Sequence, residues 1–488
     1  MSKKEISYKN IAEEIAESLR AKLNRDPTPY LLGELMTDEL KQRLHVKTFV
    51  EEDRVIGTFI YDGGVYIQGE EILGSIFHEV MRKLGIEETN RRYTGFRSDF
   101  SRIVRDSTIT MEEFNEKLVL YDSLVFDWES FLYEREPFIY EPSPDLYIVH
   151  RVPWPLDIEV LKNHRFSTKN DVVEGFRKDC LISRHFEEWT GEKWVILLEL
   201  IGYALLAGEY PLHKAFMLIG EGANGKSTYI SLLESLVGEE NVSHVSLQDL
   251  SMESGRFMRC YLYHRMLNTY ADLPKNALKQ TGSFKMLTGE DVILADRKHK
   301  DPIYFKSYAK LVFSTNELPE VYDPTSAFWR RWIVVEFPNR FEENEGIKRA
   351  ILNDILPKEA PKILSYSLLA VKHVMVEGRF SFQEEEGSIK ERWLREADSV
   401  YNFVKTGMEQ GWLEESDKGA DKDELYQLYV KFADLEDLDK AGKKTFTKRM
   451  EEMGYPVRKS GSRRYYAGIG IVRDKLPSDY AEFRRGIE

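Results

Sequence analysis

The pattern of apolar and polar positions along the 488-residue chain changes character from one region to the next. Residues 1–208 mix helical patterns, such as ILGSIFHEVMRKLG and WVILLELIGYALLAG, with strand patterns, such as TFIYDGGVYI and EKLVLYDSLVFDW. Residues 209–341 alternate strand, glycine loop, helix and strand, which is typical of an α/β core. Residues 342–396 turn helical, and residues 397–488 show three helical patterns and then a hairpin. We therefore predict an α/β core preceded by a mixed α+β region and followed by a small C-terminal module.

The strongest chemical signal is a glycine-rich loop between a strand and a helix. Apolar Phe216–Ile219 predicts a buried strand, Gly220-x-x-x-x-Gly225-Lys226-Ser227 follows, and STYISLLESLVG predicts an amphipathic helix. Glycines let backbone N–H groups wrap phosphates, and the helix N-terminus favours negative charge. In such a P-loop the Lys226 ammonium reaches the β- and γ-phosphates, and the Ser227 hydroxyl ligates Mg²⁺. The chain is therefore predicted to bind ATP with Mg²⁺ here.

Polar residues follow two further apolar strands. Asp272 ends the strand in YHRMLNTYADLPK, where a carboxylate can hold Mg²⁺ through water or orient the attacking water. Only one acid stands there, so the division between metal and base stays open, and the acid could instead begin the next helix. Asn316 follows the strand in SYAKLVFSTNELP and could contact the γ-phosphate or the attacking water, or cap the following turn.

Two adjacent arginines, Arg330 and Arg331, precede a fourth apolar strand in TSAFWRRWIVVEF. A guanidinium delivered to the γ-phosphate of a neighbouring subunit accelerates hydrolysis about 10³–10⁵-fold. Adjacent arginines before a strand can also form a solvated corner. The order of P-loop, acid, Asn and Arg-Arg favours an arginine finger, and either residue could supply it.

Taken in this order, the motifs resemble those of superfamily 3 helicases, an AAA+ type found in viruses, phages and plasmids. The chain is most similar to the primase-helicases of poxviruses, satellite phages and archaeal plasmids. The likeness covers residues 215–341 well, and it is looser upstream. Asp272 departs from the family, which usually has Glu there. The matching stretches are GEGANGKST, ADL, FKMLTGEDVILADRKHKDPIYF, AKLVFSTNELP and AFWRRWIVVEFPNRF.

The resemblance implies an architecture and an activity. The expected domains are a helicase-associated region at 1–208, an AAA+ ATPase core at 209–341, a helical lid at 342–396 and a winged-helix domain at 397–488. The expected protein is a homo-oligomeric ring, a hexamer in the manner of the family, that hydrolyses ATP and travels 3′-to-5′ on single-stranded DNA. The residues expected to bind ATP are Gly220, Glu221, Gly222, Ala223, Asn224, Gly225, Lys226, Ser227 and Thr228.

Positive charge gathers on one predicted hairpin in a chain whose formal net charge is −14. The segment GEDVILADRKHKDPIYF predicts strands at Val292–Ala295 and Ile303–Phe305 and a tip at Asp296–Pro302. The family resemblance implies that this hairpin projects into the ring channel and binds single-stranded DNA through phosphates. A solvated turn is the plainer alternative. Nearby Lys285 and Lys306 could touch DNA or the nucleotide. The tip residues predicted to bind DNA are Arg297, Lys298, His299 and Lys300.

The C-terminal module has the element order of a winged helix. Three helical patterns, ADSVYNFVKTGMEQG, DKDELYQLYVKFADLEDL and KKTFTKRMEEMG, precede a hairpin with a Gly-Ser turn. Residues 441–485 hold 12 Lys/Arg against 5 Asp/Glu, a net charge of +7. This face suits the phosphates of duplex DNA, although winged helices also dock on proteins. The predicted DNA contacts are Lys443, Lys444, Lys448, Arg449, Arg458, Lys459, Arg463 and Arg464.

Hydropathy, cysteine content and the absence of a primase motif indicate where and with which partners the chain works. No apolar run approaches about 18 residues, which predicts no membrane span. Cys180 and Cys260 lie far apart without a CxxC context, which fits a reducing cytoplasm, either of a prokaryotic host or at a viral replication site. No DxD pair with a following strand precedes Gly208, so we expect no primase activity and a separate primase or polymerase as partner.

Two functions from different classes fit these motifs. The first is a ring helicase for replication of a virus, plasmid or other mobile element. The second is an AAA+ ATPase that remodels or loads protein partners at a replication origin. Remodelling ATPases more often carry an aromatic pore loop, so the Lys-His-Lys tip favours the helicase.

Overall fold

The structure is a computed structural model with mixed α/β architecture around one parallel sheet. No helix in its described part is both long enough and apolar enough to cross a bilayer. The structure describes residues 3–23, 28–51, 54–86, 110–111, 114–274, 278, 280–298, 300–321, 323, 325–341 and 345–485.

The first part of the N-terminal region combines three helices with a four-stranded sheet. Thr28 caps the second helix through its side chain, which accepts a hydrogen bond of 3.3 Å from the backbone N–H of Leu31. Its elements are α1 (Lys3–Lys22), α2 (Pro29–Leu44), β1 (Lys47–Glu51), β2 (Arg54–Asp62), β3 (Val65–Gln68), α3 (Glu70–Leu84) and β4 (Thr110–Met111). The strand order is β3-β2-β1-β4, and the helices pack around an apolar cluster of their own. The strands predicted in TFIYDGGVYI are thereby confirmed.

The second part of this region contributes another small sheet and a group of helices. Its strand order is β7-β6-β5-β8, with the predicted strand pair in EKLVLYDSLVFDW confirmed as β5 and β6. The elements are β5 (Leu118–Tyr121), β6 (Leu124–Asp127), α4 (Trp128–Leu132), β7 (Ile139–Tyr140), β8 (His150–Val152), α5 (Ile158–His164), α6 (Lys169–Asp179), α7 (Ile182–Thr190) and α8 (Val195–Ala204).

The central sheet holds five parallel strands. It is built from β9 (Ala215–Ile219), α9 (Lys226–Val237), β10 (Val242–Ser243), α10 (Leu247–Ser251), α11 (Arg256–Arg259), β11 (Leu267–Tyr270), α12 (Gly282–Leu287), β12 (Val292–Arg297), β13 (Lys300–Lys306), β14 (Lys310–Thr315), α13 (Ser326–Trp329) and β15 (Trp332–Glu336). The strand order is β10-β11-β14-β9-β15. All residues of β9 and β14 are buried, which explains the unbroken apolar run of β9 and the apolar centre of β14 at Leu311–Phe313. The four predicted strands are confirmed, and the two-residue β10 is an addition.

Strands β12 and β13 form a separate antiparallel hairpin. Ile293 pairs with Phe305 and Ala295 with Ile303, and these four side chains are buried. The predicted tip at Asp296–Pro302 was too long, because β12 continues to Arg297 and β13 begins at Lys300. Cross-strand pairing thus extends past a bulge, as far as Arg297 opposite Lys300.

The remainder of the chain is a helical segment and then the C-terminal module. The helices are α14 (Glu345–Ala350), α15 (Leu356–Glu377) and α16 (Glu386–Ala397). The module comprises α17 (Ser399–Gln410), β16 (Leu413–Asp421), α18 (Lys422–Leu435), α19 (Lys443–Glu452), β17 (Val457–Ser460) and β18 (Arg463–Ile471). Its three predicted helices and hairpin are confirmed. The charged strand β16 was missed, and it pairs with β18 across a bulge to give the order β16-β18-β17.

One apolar cluster connects the central sheet with most of the surrounding helices. It includes residues of the second N-terminal sheet, of α8 and of α15 and α16. Helix α8 approaches α15 so closely that a Cβ on Gly202 would collide with the carbonyl of Ser367. The boundaries predicted at 208 and 341 therefore lie within a continuous core. The C-terminal module instead has a cluster of its own.

The buried Lys310 connects the central sheet to residues 206–209, which precede β9. Lys310, at the start of β14, is 0% exposed and donates hydrogen bonds to the carbonyls of Leu206 and Glu209, the latter at 2.5 Å. The rings of Tyr203 and Tyr210 lie 5.4 and 5.6 Å from its ammonium. Burial lowers the pKa of Lys310 to about 7.

This lysine should make stability rise with pH. Above pH 7 the folded chain releases the Lys310 proton, whereas the unfolded chain keeps it to a pKa of about 10.4. The unfolded state then binds more protons, so the free energy of unfolding gains up to about 1.4 kcal/mol per pH unit. Urea unfolding of the wild type and of Lys310→Met at pH 7 and pH 9 should show a difference that grows in favour of the wild type. A difference that is constant with pH would contradict the assignment.

Candidate functional site

The glycine-rich loop bridges the end of β9 and the start of α9. Gly225 has a φ of 95°, and a Cβ there would come within 2.5 Å of Trp189 Cδ1. Only glycine fits this left-handed position next to an indole ring. Asn224 anchors the loop, because its Nδ2 donates to the carbonyl of Phe337 at 3.2 Å. The loop is thus held from the N-terminal helices on one side and from the end of β15 on the other.

Lys226 occupies the centre of this loop. Its ammonium donates to the carbonyls of Gly220 and Glu221, the latter at 3.1 Å, and to Asn224 Oδ1 at 3.0 Å. It also reaches Asn316 Oδ1, at 3.3 Å, at the carboxyl end of the neighbouring strand β14. The structure therefore brings together two residues that the sequence separates by 90 positions.

Asp272 lies at the same edge of the sheet, just beyond β11. It is exposed, has a φ of 54°, and is close enough to Lys226 to act on its charge. Burial lowers the pKa of Lys226, and the Asp272 carboxylate opposes that shift. Ser227 is exposed in the first turn of α9. Of the other loop residues, Glu221 and Gly222 are exposed, and Ala223 and Thr228 are half-buried.

A hydroxyl and a carboxylate are suitable ligands for Mg²⁺, which usually keeps several waters and takes further oxygens from phosphates. Ser227 and Asp272 supply this pair. Within the described ranges, no group of three or more His, Cys, Asp and Glu side chains could hold a metal ion. A magnesium ion here would therefore rely on phosphate oxygens and water for the rest of its shell.

The two adjacent arginines have different environments. Arg330 is exposed, and its carbonyl accepts a hydrogen bond from Lys214. Arg331 is 7% exposed, and its guanidinium donates to Thr288 Oγ1 at 2.8 Å and to the carbonyls of Ala327 and Lys285. Burial lowers the pKa of Arg331. Of the pair, only Arg330 has a side chain that a neighbouring molecule could reach.

A small cavity adjoins the P-loop on the side of β15. Its volume is about 290 Å³, and sequence reasoning missed it because its walls come from distant parts of the chain. Burial raises the pKa of Glu396 in its wall. The polar residues that line it include Glu221, Asn224, Asn339, Arg340 and Glu396.

At the hairpin, the structure describes part of the predicted basic tip. Lys298 is exposed in the turn, and Arg297 donates to the carbonyl of Asp301 at 2.9 Å. His299 and the side chain of Lys300 lie outside the described residues. Lys306 is exposed on β13. Lys285 instead pairs with Asp323 at 2.9 Å.

In the C-terminal module, seven of the eight predicted basic contacts are exposed. These are Lys443, Lys444, Lys448, Arg458, Lys459, Arg463 and Arg464. The eighth, Arg449, is 8% exposed and forms ion pairs with Glu320, Asp398 and Glu452. Its guanidinium thus contacts the interior of the chain and offers no exposed face to DNA.

Comparison with known proteins adds a family match and two viral relatives. Residues 218–331 match a family of unknown function, DUF5906. The chain is 29% identical over 198 residues to "Putative helicase L207/L206" of Acanthamoeba polyphaga mimivirus, covering 38% of this chain and 19% of that protein. It is 23% identical over 285 residues to "Putative helicase V13" of Sputnik virophage, covering 54% of this chain and 36% of that protein. The chain is therefore similar to viral proteins of helicase type, of which it spans 19% and 36% of the length.

Comparison with solved structures gives matches to the C-terminal region of NrS-1. One, the A form without ligand, has a TM-score of 0.40 and 14% identity, covering 87% of this chain and 96% of that chain. A second apo structure of the same region has a TM-score of 0.35 and 13% identity, covering 91% and 100%.

Proposed function

We propose that the chain is an ATP-hydrolysing DNA helicase that works in the replication of a virus, plasmid or other mobile element. The observation that carries the proposal is the contact of Lys226 with Asn316, with Asp272 beside them at the carboxyl edge of one parallel sheet. Ligands of open α/β sheets bind at this edge. The relatives named as helicases support the same direction.

The proposed chemistry assigns one task to each residue. Backbone N–H groups of Gly220–Thr228 and the N-terminus of α9 hold the phosphates of ATP, and Lys226 neutralises the β- and γ-phosphates. Ser227 and Asp272 would hold Mg²⁺. When bound, this ion neutralises the charge that develops on the β- and γ-phosphate oxygens. Asn316 orients the γ-phosphate or the attacking water. The cavity beside Asn339 and Arg340 suits the nucleoside part.

The finer assignment is an AAA+ core of superfamily 3 type in a homo-oligomeric ring. Two observations support it: β9 lies between β14 and β15 in the sheet, and Arg330 is exposed beyond α13. In a ring, Arg330 of one subunit would reach the γ-phosphate bound by the next. A hexamer, 3′-to-5′ travel and a separate primase or polymerase are part of this proposal.

Two surfaces are proposed to contact DNA. The hairpin tip around Lys298 would bind single-stranded DNA in the ring channel through phosphates, without sequence preference. The C-terminal module, read as a winged helix, would bind duplex DNA through its seven exposed basic side chains. The exposed lysines on α19 and the basic residues of β17 and β18 next to their turn are the elements such a module uses.

Measuring ATP hydrolysis with and without single-stranded DNA tests the proposal. A helicase of this kind should hydrolyse ATP faster when single-stranded DNA is bound. Hydrolysis that is indifferent to DNA would contradict the proposal and favour a loader or remodelling ATPase that acts on proteins.

Removal of the tip charges should separate hydrolysis from unwinding. In Lys298→Ala/His299→Ala, basal ATP hydrolysis should stay within about twofold of the wild type, because the nucleotide site is intact, while unwinding is lost. A strand-displacement assay beside a phosphate-release assay measures both. Lys348→Ala removes an exposed lysine on α14 and should leave both activities unchanged. Unwinding by the double variant at the wild-type rate would refute the role of the tip.

A further inference from the structure

We propose that Arg449 is a positioning residue that couples the C-terminal module to the nucleotide site through the segment 316–321, here called the Asn316 loop. The inference rests on the proposed function, because it assigns a route by which duplex DNA on the module changes ATP hydrolysis. The route begins at the ion pair between the buried guanidinium of Arg449 in the module and the partly exposed carboxylate of Glu320 in the core.

The guanidinium of Arg449 is shared among three carboxylates. Its Nε lies 3.1 Å from Asp398, one terminal nitrogen lies 3.0 Å from Glu452, and the other lies 3.3 Å from Glu320. Asp398 and Glu452 belong to the module and its junction, whereas Glu320 belongs to the Asn316 loop. A planar guanidinium can hold several acceptors in fixed directions, which a flexible ammonium does less well. A movement of α19 would therefore displace Glu320 through its ion pair with Arg449.

Hydrogen bonds hold the Asn316 loop in place, so a movement at Glu320 is expected to move the rest of the loop. The carbonyl of Glu320 accepts from the N–H of Leu278 at 2.7 Å, and the carbonyl of Pro319 accepts from Trp393 Nε1 at 2.8 Å. At its other end, Asn316 reaches Lys226 at 3.3 Å. A displacement of Glu320 is therefore expected to alter the contact between Asn316 and Lys226.

The end of β14, which leads into the Asn316 loop, contacts the residue next to the proposed magnesium ligand. Just before Asn316, the hydroxyl of Thr315 donates to the carbonyl of Leu273 at 3.3 Å, and the carbonyl of Ser314 accepts from the N–H of Leu273 at 3.0 Å. Leu273 directly follows Asp272. A displacement of the Asn316 loop would therefore change the positions of both Lys226 and Asp272.

The packing around the ion pair leaves the module room to move. The apolar residues of the module form a cluster separate from that of the central sheet. A cavity of about 810 Å³, lined in part by Trp329, Tyr401, Arg449 and Tyr455, adjoins the ion pair. This cleft is open to solvent, and among the described residues the module and the central sheet share no common apolar cluster across it.

One helix carries both ends of the proposed coupling. Lys444 and Lys448 are exposed on α19, while Arg449 of the same helix is buried toward the core. Duplex phosphates bound on the exposed face would shift a rigid helix whose inner face holds Glu320. Binding of duplex DNA would therefore favour one position of the Asn316 loop over another. Coupling between two sites requires such a difference in contacts between two states.

The test compares Glu320→Gln with Glu452→Gln. Each removes one carboxylate from the same guanidinium, and the two side chains are similarly exposed, at 39% and 40%. Both variants keep the Asp398 pair, and thermal unfolding should confirm that both are folded. Blunt-ended duplex DNA is the probe. In Glu320→Gln, stimulation of ATP hydrolysis by duplex should fall at least about fivefold relative to the wild type, with unchanged basal rate and duplex affinity. In Glu452→Gln, stimulation should persist.

The outcomes separate this inference from the proposed function. A wild-type chain that does not hydrolyse ATP would overturn both. A wild-type chain that hydrolyses ATP without any response to duplex, or a Glu320→Gln variant with full stimulation, would overturn the inference alone. Reciprocity holds for binding and not for rates, so a change in ATP affinity caused by duplex should be matched by an equal change in duplex affinity caused by a non-hydrolysable ATP analogue, in the wild type and not in Glu320→Gln. Equal changes in the wild type and in Glu320→Gln would count against the coupling.

Discussion

Replacement of Lys226 by alanine is expected to lower the rate of ATP hydrolysis about a hundredfold to a thousandfold, the loss typical of removing one group that stabilises charge in a transition state. The ammonium lies at the centre of the P-loop and bridges to Asn316, so its loss removes the positive charge from that point. Phosphate release under saturating ATP measures the loss, and binding of a fluorescent nucleotide shows how much of it arises from affinity.

A second buried lysine provides the matched control. Lys372 on α15 is 7% exposed and pairs with Glu134 at 2.9 Å, remote in sequence from the P-loop. Lys372→Ala should lower stability, because it leaves polar partners without a hydrogen bond, and should keep ATP hydrolysis near the wild-type rate. If Lys226→Ala hydrolysed ATP as fast as Lys372→Ala does, the P-loop assignment would be wrong.

Replacement of Arg330 by alanine should have an effect at least as large, a loss of about 10³-fold or more in ATP hydrolysis with little change in melting temperature. Its exposed side chain makes it the candidate for the finger delivered to a neighbouring subunit. Arg331→Ala should behave differently. Its guanidinium is buried among three acceptors, so its loss should lower the free energy of unfolding by about 2–4 kcal/mol.

Mixing two inactive variants tests whether Arg330 acts between subunits. Arg330→Ala subunits keep Lys226, and Lys226→Ala subunits keep Arg330, so some interfaces of a mixed ring would hold both. At equal amounts about one quarter of the interfaces in a cyclic assembly should be active. Mixtures that stay as inactive as either variant alone would rule out a finger supplied by the neighbouring subunit.

Local signals allowed the P-loop and the strands of the central sheet to be predicted from sequence. Phe216–Ile219 is apolar without interruption because both faces of a parallel strand are covered, and the observed strand Ala215–Ile219 matches it. The hairpin was predicted at the correct place with too long a tip. Pairing between Arg297 and Lys300 depends on a bulge, and a bulge has no marker in the alternation of side chains.

Strand β16 shows where local pattern fails. The stretch from Leu413 to Asp421 is rich in charge and lacks the apolar alternation of a strand. It becomes a strand because β18 offers unpaired backbone groups beside it, which is a property of the tertiary neighbour. For the same reason the cavity beside the P-loop could not be anticipated, since its walls come from strands and loops far apart in the chain.

By itself the sequence determined which residue types could do phosphate chemistry and in which order they follow the strands. Only the tertiary structure decided which of these side chains face a ligand. Arg330 and Arg331 are chemically identical neighbours, yet one is exposed and the other is bonded to the core. Arg449 stands among basic residues, yet it pairs inward with Glu320 and Asp398. Charge is a property of a residue, whereas burial and pairing depend on what the fold places around it.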